Sequence, residues 1–193
     1  MSTPAFDFFR FTAGVLSCKI GTLGGAAMAA RQISVCFSGY RPEKLPWGEN
    51  ESDPRCADLK RRLLRAVCDA CDAGYTHFIC GMARGADLYG CEAALAAREQ
   101  YPHITVEAAI PCPTQADGWP EAERARWRSL VDRCDFETMV QAKYTPGCMQ
   151  RRNRYMVAHS ARIIAVFDGQ EGGTRQTLEL AMKNGAEVVI LEP

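Results

Sequence analysis

The 193-residue chain lacks the two glycine signatures most often met at nucleotide sites, G-x-G-x-x-G and G-x-x-x-x-G-K-[ST]. Their absence argues against a standard nicotinamide-dinucleotide dehydrogenase and against a P-loop ATPase. A charge excess is also lacking. Lysine plus arginine and aspartate plus glutamate number 23 each, whereas a general nucleic-acid binder shows a basic surplus. DNA is therefore an unlikely partner on composition, while one small anionic ligand held by local donors stays open. No apolar run is long enough to cross a membrane. His77, His103 and His159 show no metal-ligand spacing, so no metal site is expected. There is no repeat, low-complexity tract or internal linker.

Cysteine, by contrast, is plentiful, at ten residues. Cys36 and Cys80 lie in strand-like apolar segments, and Cys68, Cys71 and Cys91 in helical ones. Free cysteine packs as a small hydrophobe. The single C-x-x-C, Cys68 to Cys71, falls mid-helix with no second pair, so core-facing thiols fit better than zinc or a redox couple. That pattern points to the reducing cytoplasm. With 47% hydrophobic and 24% charged residues, the chain can bury a sizeable single core.

Residues 1–31 stand apart as a leader. The stretch 11–30 is rich in small residues but broken by Lys19, which makes a poor signal peptide. Residues 1–27 read as a flexible leader or as the product of an upstream start, with a cleaved signal as the weaker alternative. The domain proper spans 32–193. There, strand-like runs at 33–37, 76–80, 104–110, 136–140, 162–167 and 187–191 alternate with helical patterns up to Gly74, then to about Gln100, and at 121–134, 148–160 and 174–184. Asp53-Pro54 reads as a helix start. This alternation predicts an α/β, Rossmann-like three-layer sandwich with a mostly parallel sheet. Ligands of such sheets bind beyond the strand C-termini, where strand order reverses.

Several strand-to-helix loops carry glycine. Gly81 and Gly85 flank one loop; Gly169, Gly172 and Gly173 occupy another. Glycine lets backbone approach a ligand, and the following helix offers unsatisfied N–H groups that favour phosphate. The alternative is a pair of tight turns with no ligand. Thr174 serves as a phosphate donor or as an N-cap. Arg41, Arg84 and Arg152 fall near strand ends and suit phosphate, although a solvated helix face is the plainer reading for any one of Arg151, Arg152 and Arg154. Asn153 and Tyr155 offer a surface for base or ribose. Asp87 sits in a first helical turn, stabilised by the dipole or bonded to a ribose hydroxyl. Trp47 and Trp119 either stack on a base or cap the core.

Together, Ser38-Gly39-Tyr40-Arg41-Pro42, Gly81-Met82-Ala83-Arg84-Gly85-Ala86-Asp87, Ile110-Pro111-Cys112, Arg152-Asn153-Arg154-Tyr155-Met156 and Gly172-Gly173-Thr174 resemble the YpsA-like branch of the SLOG superfamily. The resemblance runs from about Ile33 to Leu191. It implies a Rossmann-like sheet and a nucleotide-like ligand, held by these segments together with Asp168, Gly169 and Thr177. The branch includes prophage-borne bacterial members. The superfamily also holds LOG-type phosphoribohydrolases and the core of the DNA-processing protein DprA. In the LOG pattern P-G-G-x-G-T-x-x-E, Gly173-Thr174 take the Gly-Thr places, Arg152 takes the arginine's place, and the glutamate falls on Thr177. A hydroxyl does not replace a carboxylate in stabilising an oxocarbenium-like centre or activating water. Glu179 lies roughly 200° further round the helix. The primary expectation is a nucleotide sensor or regulator, compatible with a homodimer. The alternative is an N-glycoside hydrolase using Glu179, Asp87 or Asp168 as acid/base and Arg152 as a catalytic candidate. No further cofactor is expected beyond the nucleotide-derived ligand.

Overall fold

The computed structural model describes residues 28–193; the leader expected over 1–27 lies outside the described residues. Six strands form one sheet: β1 (Ser34–Gly39), β2 (His77–Cys80), β3 (Thr105–Ile110), β4 (Phe136–Met139), β5 (Arg162–Val166) and β6 (Glu187–Leu191). Five α-helices connect them: α1 (Pro54–Asp72), α2 (Ala86–Ala97), α3 (Glu121–Arg133), α4 (Cys148–Ala158) and α5 (Gly173–Lys183). The strand order is β4-β3-β2-β1-β5-β6, and every pairing among the described residues is parallel.

Residue alternation on the strands builds two cores. Val35, Phe37, Phe78, Cys80, Val106, Ala108, Ile164 and Val166 meet α1, α2 and α3 on one face. Cys36, Ile79, Ala109, Ile163 and Ala165 meet Met156 and Val157 of α4 and Leu178 and Ala181 of α5 on the other. Helix α1 starts where Pro54 occupies its first turn and Asp53 accepts the Arg55 N–H at 2.8 Å. Its Cys56, Leu59, Leu63, Val67 and Ala70 are buried at helical spacing.

The chain runs outward from β1 to β4 and then returns to place β5 on the other side of β1. The reversal point of the fold therefore lies between β1 and β5. Strand β1 continues two residues beyond the expected end at Phe37, because Ser38 and Gly39 pair with Ala165 and Val166. Gly39 must be glycine there: a Cβ would lie 2.4 Å from the Ala86 Cβ. Trp47 belongs to the core and is 6% exposed, which leaves it buried rather than stacked on a ligand.

Candidate functional site

At the β1–β5 reversal, the C-terminal strand edge opens into a cleft of about 880 Å³. Four chain segments build it. The β1 exit supplies Ser38, Gly39, Tyr40, Arg41, Glu43 and Lys44; the start of α2 supplies Ala83 and Asp87. The mouths of α4 and α5 supply the rest, notably Gly147, Gln150, Arg152, Asn153, Arg154, Gly173, Thr174, Gln176 and Thr177. Four cations against two carboxylates line this cavity, in a chain with no net charge.

The floor is an ion pair. Arg152 Nη1 donates to Asp87 Oδ2 at 3.0 Å, and the two side chains are only 5% and 8% exposed. Gly81 completes the seat, since a Cβ there would lie 1.6 Å from Arg152 Nη1 and 2.6 Å from Asp87 Oδ2. Burial pushes the Asp87 carboxyl above its ordinary range, opposed by the Arg152 charge. The Nε of Arg152 is buried without a hydrogen-bond partner. A buried guanidinium with an open donor is costly unless a ligand or water satisfies it. Beneath the pair, Met82 holds a positive φ of 58°, and Gln115 Nε2 donates to its carbonyl at 2.9 Å. Gly85, with φ of +82°, lies under Tyr40, where a Cβ would come within 2.6 Å of the Tyr40 carbonyl oxygen.

Two helix mouths face the cleft. In α5, the first intrahelical bond is Gln176 N–H to Gly172 O at 3.1 Å, which leaves the N–H groups of Gly173, Thr174 and Arg175 without acceptors among the described residues. In α4, Cys148 N–H is used by Thr145 O and Arg151 N–H by Gly147 O, which leaves Met149 and Gln150. Asn153 Nδ2 donates to Thr177 Oγ1 at 2.9 Å and fastens the two helices together. Thr177 in turn donates to Gly173 O at 2.8 Å. Thr177 thus serves as a helix-to-helix fastener.

Of the expected site residues, Ser38, Gly39, Tyr40, Arg41, Asp87, Arg152, Asn153, Gly173, Thr174 and Thr177 line the cleft. Gly81, Met82, Gly85, Ala86 and Pro111 are buried and do not line it. Arg84 turns away to Glu43, Glu49 and Glu123. Asp168 is held by the Tyr40 hydroxyl, whose hydrogen bond draws the carboxyl below its usual value. Gly169 and Glu179 border a separate hollow beside β6, where Glu179 accepts from Arg175 Nε at 3.0 Å. Gly172 does not line the cleft; it backs the α5 mouth, where Lys44 Nζ donates to Glu171 O at 3.0 Å. Tyr155 also leaves the site, because its hydroxyl donates to Glu107 Oε1 at 2.7 Å under the sheet. Arg152 is not on a solvated helix face, being 4% exposed. Lys44, Gly147 and Gln150 were missed from the sequence. Gly147, with φ of +83° immediately before α4, carried the one usable signal. Among the described residues, no group of three or more His, Cys, Asp or Glu side chains is arranged to hold a metal ion.

The YpsA profile, described as the YspA SLOG family, matches residues 35–189, from the first strand to the last. The chain belongs to this family. The SPbeta prophage-derived protein YoqJ of Bacillus subtilis (strain 168) is 28% identical over 144 residues, which cover 68% of this chain and 84% of YoqJ. A UPF0398 protein of Bacillus thuringiensis (strain Al Hakam) is 22% identical, over 80% of this YpsA-family chain and 84% of its own. Among solved structures, DNA processing protein A from Helicobacter pylori, described for its single-stranded DNA binding mode, superposes with a TM-score of 0.56 at 16% identity. The superposition covers 86% of this chain and 67% of that one. DprA from Streptococcus pneumoniae gives 0.51 at 19% identity, covering 81% of this chain but only about half, 49%, of the pneumococcal one. These likenesses establish the Rossmann-like fold. They leave the exclusion of DNA, which rested on charge balance alone, without support. No helix among the described residues is long and apolar enough to cross a membrane.

Proposed function

We propose that this YpsA-family protein binds a nucleotide or nucleotide-derived phosphate in the β1–β5 cleft and acts as a sensor or regulator. One observation carries the reading: the α4 and α5 mouths open onto a cleft whose floor is a buried arginine with an unpaired donor. Free helix N–H groups and the helix dipole favour phosphate, and the guanidinium adds a charge-assisted donor.

A hydrolase would need a positioned acid/base carboxylate. Thr177 stands in the LOG glutamate's place and is already engaged with Asn153 and Gly173. Asp168 and Glu179 do not line the cleft, and Asp87 is tied to Arg152. The arrangement supports holding a ligand over turning it over. The test is a thermal-shift screen against nucleoside mono-, di- and triphosphates, coupled to an assay for free base. The expected result is a rise in Tm that grows with the logarithm of ligand concentration, without base release. No shift with any nucleotide overturns the binding reading. Brisk base release that is lost in Asp87→Asn replaces it with the enzyme.

The DprA likeness favours a second reading, in which the same cleft takes single-stranded DNA. Gel shift at low and moderate salt tests it, because phosphate contacts weaken as salt rises.

A further inference from the structure

Two tyrosines line the cleft, and one of them is already occupied. Tyr40 is 3% exposed; its ring packs against Phe167 and lies under Lys44 Nζ, and its hydroxyl holds Asp168. Trp47 is buried in the core, and Trp119 does not line the cleft. Tyr144, in the loop between β4 and α4, is 62% exposed. Among the described residues, its ring meets no other aromatic ring and no cation. A single exposed aromatic is ordinary on a protein surface, but the chain on either side of this one is tied down. Gln141 Nε2 donates to Lys143 O at 2.7 Å and to Thr145 Oγ1 at 3.0 Å, which fastens both neighbours of Tyr144. Arg151 of α4 donates from Nη1 to Gln141 Oε1 at 2.8 Å and to Thr145 Oγ1. Thr145 O accepts the N–H of Cys148, the first residue of α4, at 3.0 Å. The loop is thus sewn to the α4 mouth, with Tyr144 three residues before its cap, Gly147.

The free helix amides and the unpaired Nε of the buried Arg152 suit a phosphate. An open aromatic face in the same cavity suits a flat π-system attached to that phosphate, since every base can stack on such a ring. Met149 and Leu180 add apolar lining, and Gln150 and Gln176 each bring an amide that both donates and accepts. We propose that Tyr144 is the platform on which the nucleobase of the ligand stacks, with Gln141 as the positioning residue that holds its loop. This proposal rests on reading the cleft as a nucleotide site. A nucleobase comes from two sources, a free nucleotide and a single strand.

Isothermal titration of the full chain tests it by setting each ligand against a base-free counterpart. Ribose 5-phosphate is compared with AMP, GMP, CMP and UMP, and inorganic triphosphate with ATP, GTP, CTP and UTP; a short single-stranded oligoadenylate is compared with AMP. Stacking on an aromatic side chain corresponds to about tenfold or more in affinity, so the nucleotide that binds best should exceed its base-free counterpart by that factor. Tyr144→Ala should remove about tenfold of this advantage, and Tyr144→Trp should keep it. Gln141→Ala, at a residue that does not line the cleft, should reduce it by a smaller factor. The unliganded Tm of each variant reports that it folds. Nucleotides no tighter than their base-free counterparts, or an advantage that survives Tyr144→Ala, overturn the platform and leave the cleft reading standing. Equal weakening of a nucleotide and its base-free counterpart in Tyr144→Ala overturns the platform too, because the ring then does not act on the base. An undiminished advantage in Gln141→Ala overturns the positioning role. Failure of every probe to bind overturns both readings. Oligoadenylate that binds more tightly than AMP and is weakened by Tyr144→Ala supports the platform and assigns the base to a strand; the reverse order, with AMP weakened, supports it and assigns a free nucleotide.

Discussion

Gly81 and Gly173 occupy similar-looking glycine loops but make opposite demands. Any Cβ on Gly81 would intrude on the Arg152–Asp87 pair, whereas one on Gly173 meets nothing within 4 Å. Gly81→Ala should displace the guanidinium and leave Asp87 buried without its partner, at a cost of about 3–5 kcal/mol. The shift in urea midpoint measures it. Gly173→Leu should fold with an unchanged midpoint and lose ligand binding, because its side chain enters the cleft. Equal urea midpoints for the two variants would dismiss the seat described for Arg152. The glycine motifs were legible in the sequence; which glycine serves the fold and which the cleft was not. That distinction depends on a guanidinium arriving from 71 positions downstream, since Gly81 meets Arg152 only in three dimensions.

Helices and strands were read largely where they lie, because period-2 and period-3.6 apolar patterns survive in a sheet covered on both faces. What the patterns could not show is how one element reaches through another. Tyr155, which reads as part of a ligand surface, leaves α4 for Glu107 of β3. Glu107 Oε2 lies 2.9 Å from His77 Nε2 of β2. Burial pushes the Glu107 carboxyl up, but hydrogen bonds from His77, Thr138 and Tyr155 bring it below its ordinary value of 4.5. A depressed carboxyl stabilises the native state above its unfolded pKa, and this contribution is lost as pH falls through the folded value. The urea midpoint should therefore fall more steeply with acidification below about pH 4.5 in the native sequence than in Glu107→Gln. Parallel pH profiles would remove Glu107 from the account. At the same scale, Asn153→Ala should lower stability by about 1 kcal/mol, the worth of one neutral hydrogen bond, and loosen the α4–α5 alignment. A thermal melt checks the first effect, and a reduced affinity for whichever nucleotide raises the Tm of the native sequence checks the second.

For the whole molecule, the α/β class and the edge of the sheet that carries the cleft were within reach of the sequence, since strand–helix alternation dictates both. The strand order was not, because local patterning does not say on which side of β1 the chain returns. All nine cysteines of the described residues are free, and seven of them are buried. Thiol titration should accordingly be slow in native protein and fast after unfolding; prompt native reaction of most thiols would contradict this packing. The return of β5 to β1 also has a kinetic consequence. Val35 pairs with Arg162 across more than half the chain, a contact of high sequence separation of the kind that forms slowly. The cleft straddles that seam, so no partly folded chain still missing β5 possesses it. A bound ligand would touch both sides of the seam, slow its parting, and serve as a reporter that this long-range closure of the fold has taken place.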